Sequence, residues 1–506
     1  MSHFPFSAAI EDNLYSAETV RAMDRAAAET MQISPSALMN RAGGAAFSEL
    51  LQAFGQPTLI TLFCGAGNNG GDGYVIAALA AQRNISVKLY ELGDSSKYSE
   101  ETQRARQFAL ESQVDLTAFN DHIELSEGVV VDSLLGTGCR GELRQPFRQA
   151  VDLINSAGLP VLSVDIPSGL NADTGAVEDS AVKADLTVTF IAGKKGLFTG
   201  RGPSLCGDIV YHSLEVPEQI FQNHQPQAQL MDLFGLMDAL PQWPADIHKH
   251  QRGHSMVIGG DQGYGGAAIM AAEASLRSGC GLTSVATQPQ HIAALLARCP
   301  EVMACGVTSG QQLEPWLERP TVLIVGPGLG RSAWSEQLLQ KALATELPMV
   351  VDADALNILA DGRVLSDPCR TNWVLTPHPG EAARLLDTTV AAVQADRFAA
   401  VTEIQRRYGG VVLLKGAGTL IAGQGQIIKV CPYGNSAMAT AGMGDILSGI
   451  IGSLLAQGLS LQMAAELGCC IHSAAADMAV DERGDRGLVA TDTLTYVHRL
   501  LNRDLL

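Results

Sequence analysis

Asp445 stands directly after a glycine-rich turn in "NSAMATAGMGDILSG", residues Asn435 to Gly449, and before an apolar stretch. A carboxylate so placed can take a proton from a hydroxyl, while amides of the turn and of a following helix can hold an anion. Other positions in the same half suggest related chemistry. "VLTPHPGEAARLL" presents His378 between two prolines, with Glu381 at a helix start. "VVLLKGAGTLI" delivers Lys415 at a strand end beside Gly416 and Gly418, where an ammonium suits a phosphate. "HSMVIGGDQGYGGAAIMAAEA" sets Gly265 and Gly266 where the backbone can approach a ligand, with Ala267 and Ala268 leaving room. "TVLIVGPGLG" ends a buried strand in a turn from Gly326 to Gly330. Taken singly, each also has a plain structural use. A lone histidine packs, Glu381 complements a helix dipole, a hairpin lysine is solvated, and Gly-Pro-Gly reverses a chain.

The first half has its own cluster. In "FCGAGNNGGDGYVIAALAAQ" the strand-like "TLITLF" enters a glycine run from Gly65 to Gly73, and a helix is expected to begin near Tyr74. Backbone N–H groups then converge where a phosphate could sit. The spacing is neither GxGxxG nor a Walker loop. Asp132 follows "GVVV" and Asp165 follows "VLSV", and ligands of open parallel sheets bind outside the carboxyl ends of strands. Either acid could instead brace a loop.

These residues need elements to hold them. A chain of 506 residues is too long for one ordinary core, so two domains are expected. From about Ser16 to Val216, β-branched runs alternate with Ala-rich helical segments: "PTLITLFCG", "ISVKLYEL", "GVVVDSLLG", "LPVLSVDIPSG" and "ADLTVTFIA". Alternation of this kind predicts βαβ units around a mostly parallel sheet. The pattern lapses into Gln, Pro and His near residue 226 and resumes with "HSMVIGG", "LTSVAT", "TVLIVGPG", "PMVVDADAL", "NWVLTPHPGE" and "GVVLLKGAGTLI". Two α/β domains, 1–225 and 226–506, are therefore expected.

A formal net charge of −19 disfavours nonspecific attraction to nucleic acid or an anionic membrane. The ten cysteines show no CxxC pair and no zinc-site spacing, which favours buried free thiols in a reducing cytoplasm. "MSHFPFSAAIEDNLYS" lacks the basic and apolar regions of a secretory signal. "ILSGIIGSLLAQGLSL" is short and glycine-broken, and reads as a buried helix, not a membrane span.

"GAGNNGGDG", "DSLLGTGCRGE" and "SVDIPSGLNADTG" resemble the signatures of NAD(P)H-hydrate epimerases, a resemblance that spans the first 215 residues. It implies a Rossmann-like three-layer sandwich. It also implies that Asn68, Asn69, Gly70, Gly71 and Asp72, with Gly136, Thr137, Gly138, Cys139, Arg140, Gly141 and Glu142, hold the hydrated dinucleotide, with Asp165 beside the ring, where it is the candidate acid/base for reversible C–O or C–N cleavage. A potassium ion is implied near Asn69, Asp132 and Ser168, all oxygen donors suited to a hard cation. The chain departs from the family at "ALMNRAG", where Asn40 replaces the usual Glu.

The second half resembles the ribokinase-like superfamily, and within it the ADP- or ATP-dependent NAD(P)H-hydrate dehydratases. "TPHPGE", "LLKGAGT" and "NSAMATAGMGDILSG" carry this resemblance from about Leu230 onward. It implies that Gly266, Ala267, Gly330 and His378 hold the hydrate and that Asp445 takes its hydroxyl proton. Lys415, Gly416, Ala417, Gly418, Thr419 and Gly444 would contact the nucleotide, with Mg²⁺ on its phosphates. The domain order matches fused bifunctional repair enzymes, whose arrangement points to ADP ahead of ATP. The small-molecule substrates implied are NADHX, NADPHX and ADP or ATP, with no nucleic acid and no membrane as partners. Ribokinase-like repair enzymes often assemble, which leaves a homo-oligomer open. So does an alternative remain: a vitamin or sugar kinase joined to a non-catalytic nucleotide-binding module.

Overall fold

The computed structural model describes residues 12–120, 122–365 and 367–503. The first eleven residues, over which no secretory signal is expected, lie outside that range. Two compact units divide between Gln229 and Leu230. The division falls after the Gln- and Pro-rich stretch because Ala228–Leu230 is itself a strand, pairing antiparallel with Asn13–Tyr15 in the first unit.

In the first unit a seven-stranded sheet runs in the order Leu116–Ala118, Ser86–Glu91, Leu59–Cys64, Val129–Ser133, Val161–Val164, Leu186–Phe190, Asp208–His212. Every pairing in it is parallel. Ile60, Leu62, Val131 and Leu162 pack under the helices Pro35–Phe54 and Asn68–Gln82. Phe63, Val130 and Val161 pack on the other face, against Phe147–Ser156. Burial on both faces is why the central strands read as unbroken apolar runs. The edge strands Leu116–Ala118 and Asp208–His212 escape that reading because they are short and carry exposed or polar residues.

The second unit orders its strands Met303–Gly306, Leu282–Thr287, His254–Ile258, Val322–Val325, Met349–Val351, Trp373–Leu375, Val411–Leu414, Leu420–Gly423, Ile428–Val430. Pairings are parallel as far as Val411–Leu414 and antiparallel for the last two strands. The antiparallel return explains the hairpin at Lys415–Thr419. One face packs against Gly265–Arg277, Met443–Ala456, Leu461–Arg483 and Thr493–Leu501. The apolar run beginning at Ile446 is thus a buried helix, and no helix among the described residues is long and apolar enough to cross a membrane.

In both sheets the chain winds outward in two directions from one point, between Leu59–Cys64 and Val129–Ser133 in the first unit and between His254–Ile258 and Val322–Val325 in the second. Crevices open at the carboxyl ends of strands at such switch points. The glycine runs after Cys64 and Val325 lie there.

Candidate functional site

The helix after the first glycine run begins at Asn68, not near Tyr74. Glycines by propensity would delay it, but packing requires them: a Cβ at Gly70 would sit 1.9 Å from the Gly65 carbonyl oxygen. Gly67 occupies the N-cap without a side-chain cap, and the first intrahelical bond runs from Gly71 N to Gly67 O. The helix therefore leaves the amides of Asn68, Asn69 and Gly70 without an intrahelical acceptor.

Asn68 and Asn69 line a cavity of about 870 Å³ together with Asp72, Gly136, Thr137, Gly138, Cys139 and Asp165. Gly70 and Gly71 are buried in the same helix turn. Arg140, Gly141 and Glu142 lie outside the lining, and Arg140 faces Asp173 at 3.6 Å. Asp132 and Ser168 are wholly buried. Asp132 braces its loop by accepting from Leu134 N, Ser163 Oγ, Ser168 N and Ser168 Oγ at 2.6–3.2 Å. Burial pushes its carboxyl up against the pull of those donors. Buried Asn69 has no partner for Oδ1 or Nδ2, so the polar end of this side chain awaits one.

Asp165 sits at the end of Val161–Val164 with φ of 65°, a conformation costly for a non-glycine residue. Its Oδ1 accepts from the ammonium of Lys194, which is wholly buried, and from Thr189 Oγ1 and Phe190 N at 3.3 Å. Asp24, from the helix Ala17–Met31, lines the same cavity. Burial raises its carboxyl to about 6 against the pull of Lys194. Burial, with Asp165 and Asp24 nearby, holds Asp72 well above the carboxylate range. Neither Lys194 nor Asp24 belongs to the motifs legible in the sequence. Lys194 ends the short strand Gly193–Lys194 just beyond Leu186–Phe190, so a search of strand ends for charged residues could have found it; Asp24 lies mid-helix and gives no signal.

In the second unit Gly442, at φ 92°, turns the chain into the helix Met443–Ala456. Asp445 is therefore not a cap but the third residue of the helix, beside amides that the helix leaves free. Burial raises its carboxyl to about 7, nearby Asp352 adds to the rise, and Lys415 opposes it. The turn is tied down from Leu461–Arg483, where Asp477 accepts from Gly434 N and Asn435 Nδ2 at 2.8 Å.

Lys415 is not a solvated hairpin lysine. Its Nζ lies 2.8 Å from Asp352 Oδ1, and Asp352 Oδ2 accepts from Ser448 Oγ at 2.7 Å. Burial opposes both charges, yet the pairing holds Asp352 below and Lys415 above their ordinary values. A Cβ on Gly444 would meet Lys415 Nζ at 3.2 Å and Asp352 Oδ2 at 3.5 Å, so the Asp445 turn rests on this pair. Arg397, buried beneath the Lys415–Thr419 hairpin, donates to the carbonyls of Leu414 and Lys415. Thr419 Oγ1 closes the hairpin on Gly416 O, with Ala417 and Gly418 between.

His378 caps the helix Pro379–Leu386, its Nδ1 accepting from Gly380 N and Glu381 N while Glu381 Oε2 accepts from His378 N. Burial keeps the imidazole below its usual pKa and raises Glu381 to about 7. Gly266 faces open space, where a Cβ would meet nothing within 4 Å, and Ala267 lies beside the Gly328 turn. Gly330 N donates to Asp354 Oδ2 at 3.0 Å. Asp352, in "VVDADAL", is missed by the motifs although it too is an acid at a strand end. All ten cysteines are free thiols; Cys369 is exposed and Cys139 partly so, against the expectation that all are buried.

The NAD(P)H-hydrate dehydratase family matches residues 255–499, and the family described as YjeF-related protein N-terminus matches residues 35–196. A bifunctional NAD(P)H-hydrate repair enzyme of Coxiella burnetii is 46% identical over 489 residues, 97% of this chain and 99% of that protein. One from Escherichia coli is 40% identical over 496 residues, 98% and 95% of the two chains. The solved structure of a ribokinase-like superfamily protein from Enterococcus faecalis V583 is 30% identical with a TM-score of 0.50, covering 55% of this chain and 97% of that one.

Proposed function

The chain belongs to the family of bifunctional NAD(P)H-hydrate repair enzymes, and from that premise we propose how its two sites divide the work. The protein interconverts the R and S forms of NADHX and NADPHX and dehydrates the S form at the expense of ADP or ATP. We assign epimerisation to the unit ending at Gln229 and dehydration to the unit beginning at Leu230. The observation that carries the second assignment is the rest of the Asp445 turn on the Lys415–Asp352 pair.

The hydrate carries a hydroxyl at C6, beside the ring nitrogen, and hydroxide leaves poorly. Phosphorylation removes that difficulty. Asp445 takes the hydroxyl proton as the oxygen attacks the terminal phosphorus, and amides of the Ala441–Gly444 turn stabilise the phosphoryl group in transit. The ring nitrogen's lone pair then expels phosphate, and loss of a C5 proton restores the dihydronicotinamide. Gly266, Ala267, Gly330 and His378 would contact the hydrate; Lys415, Gly416, Ala417, Gly418, Thr419 and Gly444 would border the nucleotide. Lys415 acts there as half of an ion pair, so its main task is to set the field around Asp445.

Mg²⁺ would enter on the nucleotide phosphates, since it keeps most of its shell as water and phosphate oxygen. Among the described residues no cluster of three His, Cys, Asp or Glu side chains could hold a metal by itself. In the first unit the unpartnered Oδ1 of buried Asn69, with the oxygens of Asp132 and Ser168, fits a potassium ion. Such an ion would supply positive charge where burial disfavours the Asp132 carboxylate. Ten free thiols fit a cytoplasmic protein.

The test is incubation with mixed NADHX epimers and either ADP or ATP, reading NADH absorbance and phosphate. Recovery of both epimers is expected, with one inorganic phosphate per NADH. A stable phosphorylated product would indicate a kinase instead, and no recovery with either nucleotide would overturn the assignment. In Asp165→Ala the fast phase should stop once the S form is spent. Equilibration of a single epimer at the wild-type rate, followed by proton NMR, would exclude Asp165.

A further inference from the structure

The epimerase assignment leaves Asp24 and Lys194 without a task. Lys194 Nζ has three donors, and they reach Asp165 Oδ1, Thr189 Oγ1 and Phe190 O, the last two at 2.9 Å. None is left for substrate. Lys194 therefore holds one oxygen of Asp165, and because Thr189 Oγ1 and Phe190 N also donate to Oδ1, the Oδ2 atom is the oxygen left to act.

Epimerisation at C6 breaks a bond on one face of the ring and remakes it on the other, so a proton must be given on one side and taken on the other. A carboxylate pinned by Lys194 serves one side. Asp24 comes from a different element, the helix Ala17–Met31, and lines the same cavity. We propose that Asp24 is the second acid–base group of the epimerase, working with Asp165 across the ring of the bound hydrate. This rests on the epimerase assignment of the cavity.

For C–O cleavage, the ring nitrogen's lone pair forms a double bond to C6 while the C6–O electron pair stays with oxygen, and the Asp24 carboxyl supplies the proton that releases it as water. Water adds to the opposite face of C6, nitrogen recovers its pair, and Asp165 accepts the surplus proton. The reverse reaction exchanges the two roles. Asp72 is the less suitable partner: burial, with Asp165 and Asp24 beside it, holds its carboxyl up and disfavours release of the proton, whereas burial raises Asp24 to about 6. The charged groups facing Asp24 are Arg21 and Arg25 on its own helix, with Asp72, Asp165 and Lys194 from the rest of the cavity wall.

The experiment follows one purified C6 epimer of NADHX by proton NMR, on the full chain without nucleotide so that dehydration is silent. Asp24→Asn should slow equilibration at least ~10-fold with KM within about twofold, and should remove a loss of kcat/KM above about pH 6 seen in wild type. Asp24→Glu should restore part of the rate and shift that limb. A rate within about twofold of wild type in Asp24→Asn, or a limb unmoved in either variant, overturns the proposal; if Asp24→Asn does not fold, the Asp24→Glu limb decides. Asp165→Asn is run alongside: wild-type rates in both variants would mean that the cavity itself is misassigned.

Discussion

Asp445→Asn is expected to lower the dehydration rate by on the order of 10³-fold, with nucleotide binding retained and epimerisation by the same chain unchanged. The amide keeps the size and position of the carboxylate but cannot accept the hydroxyl proton. Nucleotide affinity should survive because the turn amides and the Lys415–Thr419 hairpin do not depend on that charge. The same residue sets a pH dependence. Asp445 must be ionised to act, and burial holds its carboxyl near 7. Dehydration kcat/KM should therefore rise with pH up to about 7 and level off above it, falling ~10-fold per unit on the acid side. Glu381 titrates in the same range. Glu381→Gln should keep the acid limb, since that carboxyl is engaged in capping with His378. Near-normal dehydration by Asp445→Asn would remove it from the mechanism.

Replacing Asp352 by Ala is expected to destabilise the second unit by about 3 kcal/mol, because it leaves the largely buried Lys415 ammonium without its partner carboxylate. Asp352 is 1% exposed and the Lys415 side chain 21%, so water replaces only part of the lost interaction. Thermal unfolding should show the dehydratase unit melting earlier while epimerisation survives at moderate temperature. Removing both charges, in Asp352→Ala with Lys415→Met, should recover most of the stability without recovering dehydration. A double variant no more stable than the single one would show that Ser448 and packing, not the ion pair, carry the loss. The milder Asp352→Asn tests the field. Asp352 raises the Asp445 carboxyl and Lys415 lowers it, so removing the negative charge should move the acid limb of dehydration below pH 7. An unmoved limb would mean that Asp352 acts through packing alone.

The legible parts of both sites share a local origin. Val129–Ser133 and Val161–Val164 can be read because apolar runs bury both faces of a strand, and Asp132 and Asp165 follow as polar residues at their ends. Met303–Gly306 and Ile428–Val430 cannot, since a short, partly exposed strand carries no such run. The start of the helix at Asn68 is hidden for the converse reason. Glycine lowers local helix propensity, but the close approach of Gly70 to Gly65 is a tertiary demand that overrides it.

The sequence by itself determined the two α/β halves, the glycine turns at their strand ends, the family, and the acids Asp165 and Asp445, because each is written in contiguous residues. Only the tertiary structure decided which charges answer each other. Asp352 meets Lys415 across 63 residues of chain and Asp165 meets Lys194 across 29, and neither spacing says so. Such pairs depend on the order in which strands enter the sheet and on which loops meet at its switch point. Burial beside the Asp352–Lys415 pair raises the Asp445 carboxyl to about 7, which suits it to take a proton at neutral pH.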